Sequence, residues 1–155
     1  MIDLHCHLLP YVDDGAETLD DARSLLKMEA EQGVKTLCLT PHLRKGMFET
    51  EDGALLRQLQ RLQPHAEQLG VRLMLSREYH WDNGLRRLLR ERTVLPLGLG
   101  NWVLLEFSSL HSLDEIQEGV RTVLEAGYRP LIAHVERYPA VDSVETARAL
   151  IASGA

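Results

Sequence analysis

Two histidines near the start, in Asp3-Leu4-His5-Cys6-His7, stand at a spacing that suits a metal ion. Side chains two apart on a strand share a face. His5 and His7 can therefore point at one cation from one strand end, although a lone His-x-His pair also fits two solvated histidines. Further donors recur along the chain. Asp14 lies in Asp13-Asp14-Gly15, His42 in Thr40-Pro41-His42, and Glu78 follows Leu73-Met74-Leu75-Ser76-Arg77. Glu106 sits in Val103-Leu104-Leu105-Glu106-Phe107 and His134 in Leu131-Ile132-Ala133-His134-Val135. Each has an ordinary explanation alone: Asp pairs before Gly build turns, and a strand Glu can be satisfied by an arginine. Ionised carboxylates among apolar strand residues are nevertheless expensive unless paired or metal-bound. Recurrence favours the metal, because every apolar run ends in a possible ligand. Mixed nitrogen and oxygen ligation suits zinc, iron or manganese, and the carboxylate share leans towards manganese. A set this rich predicts more than one ion, the arrangement that activates water and clamps a phosphoryl group. Arg137 could grip phosphate in bidentate fashion, or pair with Glu136.

Such side chains need a frame. Apolar runs at 2–4, 34–39, 71–75, 103–107 and 131–135 read as strands, near-continuously apolar as in a sheet covered on both faces. Amphipathic segments alternate with them. The spacing predicts helices over 18–32, 50–69, 83–92, 112–126 and 142–153. Thr18 with Asp21 and Ser112 with Glu115 are capping pairs, and Gly33, Gly70 and Gly127 are stops. Pro64 should kink or split the second helix. Alternating strand and helix predict an α/β fold with parallel strands, whose C-terminal strand ends form the functional face. About five strand–helix units fall short of the roughly 250 residues of a closed eight-unit barrel. A small open sheet and the front portion of a larger barrel are the two alternatives, and the second is favoured.

The 155 residues are 45% hydrophobic and 26% charged, an ordinary globular composition. The net charge of −6 argues against nucleic-acid binding. Two cysteines make no disulfide framework, which points to a reducing compartment. The start lacks the pattern of a signal peptide, and no apolar stretch approaches the ~20 residues of a membrane span. The expectation is a cytoplasmic protein.

The motifs M-I-D-L-H-C-H-L-L-P-Y-V-D-D-G, T-P-H, R-E-Y-H, L-L-E-F and I-A-H-V-E-R-Y, in this order, resemble the CpsB/CapC group of bacterial PHP (polymerase and histidinol phosphatase) phosphatases. The resemblance runs over nearly the whole chain. It implies an α/β, PHP-type distorted barrel of βα units, here an incomplete barrel of about five units forming one domain over 1–155 without its C-terminal part. It also implies a manganese-dependent protein-tyrosine phosphatase of capsule and exopolysaccharide synthesis. Its partner would be an autophosphorylated tyrosine kinase of that pathway. On the same resemblance His5 and His7 bind a first metal and Glu78 bridges to a second. Glu106 and His134 complete the second, Asp14 and His42 serve a third, and Arg137 binds substrate phosphate. The resemblance implies a mechanism that needs no phosphoenzyme.

Three departures stand out. Val135 replaces the family's proline after His134, and Arg77 replaces a small residue before Glu78. The late Asp-x-His ligand pair is absent from these 155 residues, and strand edges left unclosed would invite self-association. Rival readings are a histidinol-phosphatase-like phosphoesterase, a catalytically impaired remnant, and a cysteine phosphatase built on the Cys-x5-Arg spacing of Cys38 and Arg44. The last is disfavoured: the loop has no glycine, Pro41 removes an amide donor, and Cys38 falls inside an apolar strand. His65, His80 and His111 are assigned no site, although His80 shares a strand face with Glu78.

Overall fold

The apolar runs become parallel strands, and helices alternate with most of them along the chain. The computed structural model describes residues 1–155. The chain divides into two compact units, Met1–Arg77 and Glu78–Ala155. Its five helices lie within one or two residues of the segments that the spacing predicts.

In the first unit, β1 (Ile2–Cys6), β2 (Thr36–Leu39) and β4 (Arg72–Leu75) form a parallel sheet in the order β1-β2-β4. Registers of Cys6 with Leu39 and Leu39 with Leu75 align the C-terminal strand ends. Helix α1 (Leu19–Glu31) carries the Thr18–Asp21 capping box. Helix α2 (Asp52–Leu69) ends at Gly70, whose left-handed backbone (φ 66°) favours glycine. Ala22 and Leu26 of α1 and Leu55, Leu62 and Ala66 of α2 pack into one cluster with Leu37, Leu39 and Leu73 of the strands. Each fully buried leucine contributes about 1.5–3 kcal/mol. Between β2 and α2 lies a two-residue strand β3 (His42–Leu43).

Pro64 does not split α2, which runs unbroken through it. Proline deprives only the Gln60 carbonyl of its donor. Both residues are exposed, so water can serve that carbonyl.

In the second unit, β5 (Glu78–His80), β6 (Trp102–Glu106) and β7 (Arg129–Ile132) pair in parallel. Helix α3 (Asn83–Glu91) is capped by Asp82, and α4 (Leu113–Glu125) carries the Ser112–Glu115 capping box. Helix α5 (Val144–Ala152) is capped by Ser143. Arg86 on α3 grips Glu118 on α4 through two bonds of 2.8 and 2.9 Å. No helix is long and apolar enough to cross a membrane.

Two strand ends differ from expectation. Glu78 is not the tip of the strand before it: β4 stops at Leu75, and Glu78 opens β5. Arg77 provides the reason, because its buried guanidinium turns back to Asp52 Oδ1 (2.7 Å from Nη2) and to the Thr50 carbonyl. The end of β4 is thereby anchored to the start of α2. His134 lies beyond β7 rather than inside it. It caps the short 3₁₀ turn Val135–Arg137 with a left-handed backbone (φ 50°).

Gly119 on α4 faces the rings of the second core. A methyl group there would come within 2.7 Å of Phe107 Cζ and 3.2 Å of Trp81 Cδ2. Phe107 is itself edge-on to Tyr138 and beside Trp81, so its ring has little room to retreat. Overpacking of this kind costs about 1–3 kcal/mol, against a helix-propensity gain of about 1 kcal/mol for alanine. Gly119→Ala is expected to lower Tm by about 2–6 °C in thermal unfolding. A rise in Tm would mean that the rings yield and propensity wins.

Candidate metal centre

In the first unit the end of β1 delivers two imidazoles side by side, His5 within the strand and His7 one residue past it, with His5 Nε2 3.1 Å from His7 Nε2. Two donors each about 2.1 Å from one ion lie roughly this far apart. The β1–α1 loop then folds back on its origin. The Ala16 N–H donates to the His7 carbonyl (3.1 Å) and the Tyr11 N–H to the Ala16 carbonyl (3.2 Å), with Tyr11 left-handed at φ 65°. The return is so tight that a Cβ on Gly15 would stand 2.1 Å from the His7 carbonyl oxygen.

This loop separates two adjacent acids. Asp14 is 65% exposed in its side chain, and its Oδ1 lies 3.6 Å from His42 Nε2. Asp13 is turned inward, with a fully buried side chain. Its Oδ2 accepts from His7 Nδ1 (2.7 Å) and from the His42 backbone N–H (3.0 Å), and its Oδ1 from the Gly15 N–H (3.1 Å). Burial alone would raise the Asp13 pKa, but the bonds from His7, His42 and Gly15 outweigh it and hold the carboxyl below its usual range. His42 is reached through β2, whose tip is joined to that of β1 by Thr40. The Thr40 hydroxyl accepts from the Cys6 N–H (3.0 Å) and donates to the Cys6 carbonyl (3.2 Å). The His42 ring stacks on Phe48 at 5.1 Å. As a result His7, Asp14 and His42 offer ligand atoms within 4.8 Å of one another.

In the second unit, Glu78 is 0% exposed, and His134 Nε2 lies 3.0 Å from its Oε1. Glu106 ends β6 in register with His80, and His80 Nδ1 lies 3.4 Å from Glu106 Oε2. Tyr138 fastens the two strand tips that carry Glu106 and His134. Its hydroxyl accepts from the Phe107 N–H (3.0 Å) and donates to the Ala133 carbonyl (2.6 Å). Burial pushes this phenol up to about 12. Arg137 is 70% exposed, and its Nε is 3.8 Å from Glu136 Oε1.

The fold thus groups His5 with His7, His7 with Asp14 and His42, and Glu78 with His134. Asp13 and Tyr138 escaped the sequence reading, as did the pairing of His80 with Glu106. An Asp two residues before a glycine reads as a turn former, and a tyrosine after Glu-Arg gives no signal of its bonds. The donor set fits divalent transition metals: imidazole nitrogens and carboxylate oxygens, part-buried, with ring orientation fixed by hydrogen bonds. Cysteine chemistry finds no support. Cys38 is buried within β2, and burial, with Asp3 adding, pushes the Cys6 thiol up.

The chain also matches known proteins. A family model described as "Capsular polysaccharide synthesis, CpsB/CapC" matches residues 1–155. "Tyrosine-protein phosphatase CpsB" of Streptococcus pneumoniae is 32% identical over 147 residues, 94% of this chain and 60% of that protein. "Tyrosine-protein phosphatase YwqE" of Bacillus subtilis is 30% identical over 139 residues, 88% of this chain and 55% of that protein. The chain therefore spans about 60% of the length of such curated relatives. A solved structure from work on YwqE of B. subtilis and CpsB of S. pneumoniae, described as unique metal-dependent tyrosine phosphatases, superposes with a TM-score of 0.88. The two are 28% identical, and the match covers 100% of this chain and 64% of that one.

Proposed function

Since this chain belongs to the CpsB/CapC family of capsular polysaccharide synthesis proteins, we propose that it serves metal-dependent hydrolysis of phosphotyrosine on a tyrosine kinase of a polysaccharide pathway. The observation that carries the reading is the His7, Asp14 and His42 trio, whose ligand atoms cluster within 4.8 Å. Relatives named as tyrosine-protein phosphatases support the substrate class.

We assign metal holding to His5, His7, Asp14 and His42 in the first unit and to Glu78, Glu106 and His134 in the second. A complete site would hold two or three ions, and manganese suits the carboxylate share better than iron or zinc. Bound divalent cations would neutralise phosphoryl charge and acidify water. The chain's own residues do the positioning. Asp13 orients the His7 ring, Thr40 aligns the tips of β1 and β2, and Tyr138 holds the peptides beside Glu106 and His134. The Arg137 guanidinium, exposed and only loosely paired with Glu136, is free to turn and take two phosphate oxygens. We place the protein in the cytoplasm, where thiols such as Cys6 and Cys38 stay reduced.

Metal titration tests the reading. Excess Mn²⁺ at about 100 times its Kd is expected to stabilise the chain by about 2.7 kcal/mol, and EDTA to reverse the rise in Tm. Phosphate release from a phosphotyrosine peptide should require the metal and exceed release from histidinol phosphate. Turnover that survives chelation, or a Tm indifferent to Mn²⁺, would sink the proposal.

A further inference from the structure

We infer that Asp13 is the positioning residue of the first unit's metal ligands: its one carboxylate sets the tautomer of the His7 ring and the place of His42. The inference rests on the reading that His7 and His42 hold a metal.

Three bonds converge on this carboxylate, one from an imidazole ring and two from peptide N–H groups. Its Oδ2 accepts from His7 Nδ1 at 2.7 Å and from the His42 N–H at 3.0 Å, and its Oδ1 from the Gly15 N–H at 3.1 Å. An ionised carboxylate only accepts. The proton of neutral His7 must therefore sit on Nδ1, which leaves Nε2 as the acceptor of the ring. That acceptor nitrogen is the one facing His5 Nε2 at 3.1 Å. Ring nitrogens of metal-bound histidines are oriented in this way by a carboxylate on the far side of the ring.

Burial makes the arrangement firm. The Asp13 side chain is fully buried, so water does not compete for its oxygens. Asp14 has the opposite environment, exposed and facing the His42 ring. Two adjacent acids thus divide the work: Asp14 offers an oxygen to the ion, and Asp13 holds the imidazole and the backbone that meet it.

Asparagine at position 13 keeps the shape and breaks the logic. Whichever way its amide turns, an NH₂ group meets a donor. Facing Gly15, it opposes an N–H. Facing His7 and His42, it opposes the His42 N–H and forces the His7 proton to Nε2, where a metal ligand needs a lone pair.

The test uses the full chain. Nitrogen-15 NMR on metal-free protein, at a pH where the ring shifts show neutral imidazole, reads the His7 tautomer directly. The wild-type chain is expected to show Nδ1–H, and Asp13→Asn to show Nε2–H or a mixture. Calorimetric titration with Mn²⁺ should give a 10–100-fold weaker affinity for Asp13→Asn. Glu31→Gln, on an exposed face of α1, should match the wild type in both readouts. Should Asp13→Asn fail to fold, Asp13→Glu keeps an acceptor and is expected to retain Nδ1–H with a smaller loss of affinity. An Nε2–H tautomer in the wild-type chain overturns the inference, as does Asp13→Asn with unchanged tautomer and affinity. If the wild-type chain takes up no Mn²⁺, the metal reading fails, and the metal-free tautomer still decides the role of Asp13.

Discussion

Gly15→Ala is expected to lower Tm by about 5–10 °C and to weaken Mn²⁺ binding at least 10–100-fold. The reason is steric rather than conformational. An added Cβ would lie 2.1 Å from the His7 carbonyl oxygen, 2.5 Å from His7 Cβ and 2.9 Å from the His7 carbonyl carbon. No rotamer change relieves contacts with a main chain, so the two backbones must part. Parting them breaks the Ala16 N–H bond to the His7 carbonyl and the Gly15 N–H bond to Asp13. Forcing bulk into a packed site commonly costs about 1–3 kcal/mol, and each kcal/mol is worth about 2–4 °C in a chain of this size. The orphaned bonds take the loss to the top of that range. The larger consequence is chemical, since the displaced segment carries Asp13 and Asp14. Thermal unfolding and Mn²⁺ titration on one variant read both effects. A Gly15→Ala chain with the wild-type Tm and affinity would show that the loop relaxes without disturbing the ligands.

Tyr138→Phe should be nearly as damaging for a different reason. The volume is almost conserved, so what is lost is the hydroxyl that joins the Phe107 N–H to the Ala133 carbonyl. Both are left in a buried setting, at about 1–3 kcal/mol for each unsatisfied group. A loss of roughly 2–3 kcal/mol near neutral pH follows, with Tm down by about 5–10 °C. The pH dependence gives a second signature. The phenol is raised in the folded chain to about 12, whereas an unfolded tyrosine titrates near about 10. A group whose folded pKa is raised contributes below the unfolded value and loses that contribution as pH climbs through the folded one. The wild-type advantage over Tyr138→Phe should therefore shrink between about pH 10 and 12, by on the order of 2 kcal/mol. Urea unfolding of both chains at neutral and alkaline pH measures it. A constant gap across that range would mean that the phenol does not titrate with folding.

Much of this was legible in the residues. Period-two spacing placed His5 and His7 on one face, and continuous apolar runs announced parallel strands. Capping pairs at Thr18 and Ser112 marked helix starts to the residue. What sequence could not show was decided by loop conformation. Asp13 and Asp14 are chemically identical neighbours, and only the fold of the β1–α1 loop turns one inward. Glu78 looked like the end of a strand because the apolar run before it was continuous. The break arises from Arg77 reaching Thr50 and Asp52, residues distant in sequence. The hydroxyl of Tyr138 likewise joins peptides 31 and 5 positions away, for which no local pattern exists.

The backbone at His134 narrows the paths by which this position can drift. With φ at 50°, it lies where L residues other than Asn, Asp and His are scarce. A bulky or β-branched replacement meets about 1–2 kcal/mol of local strain before any question of chemistry arises. Among residues able to donate to a cation, aspartate is therefore the cheapest exchange, and glutamate or cysteine would need the turn rebuilt. Descendants of this sequence that abandon the imidazole should accordingly carry a short acid, a short amide or glycine there, and long or branched side chains should be rare.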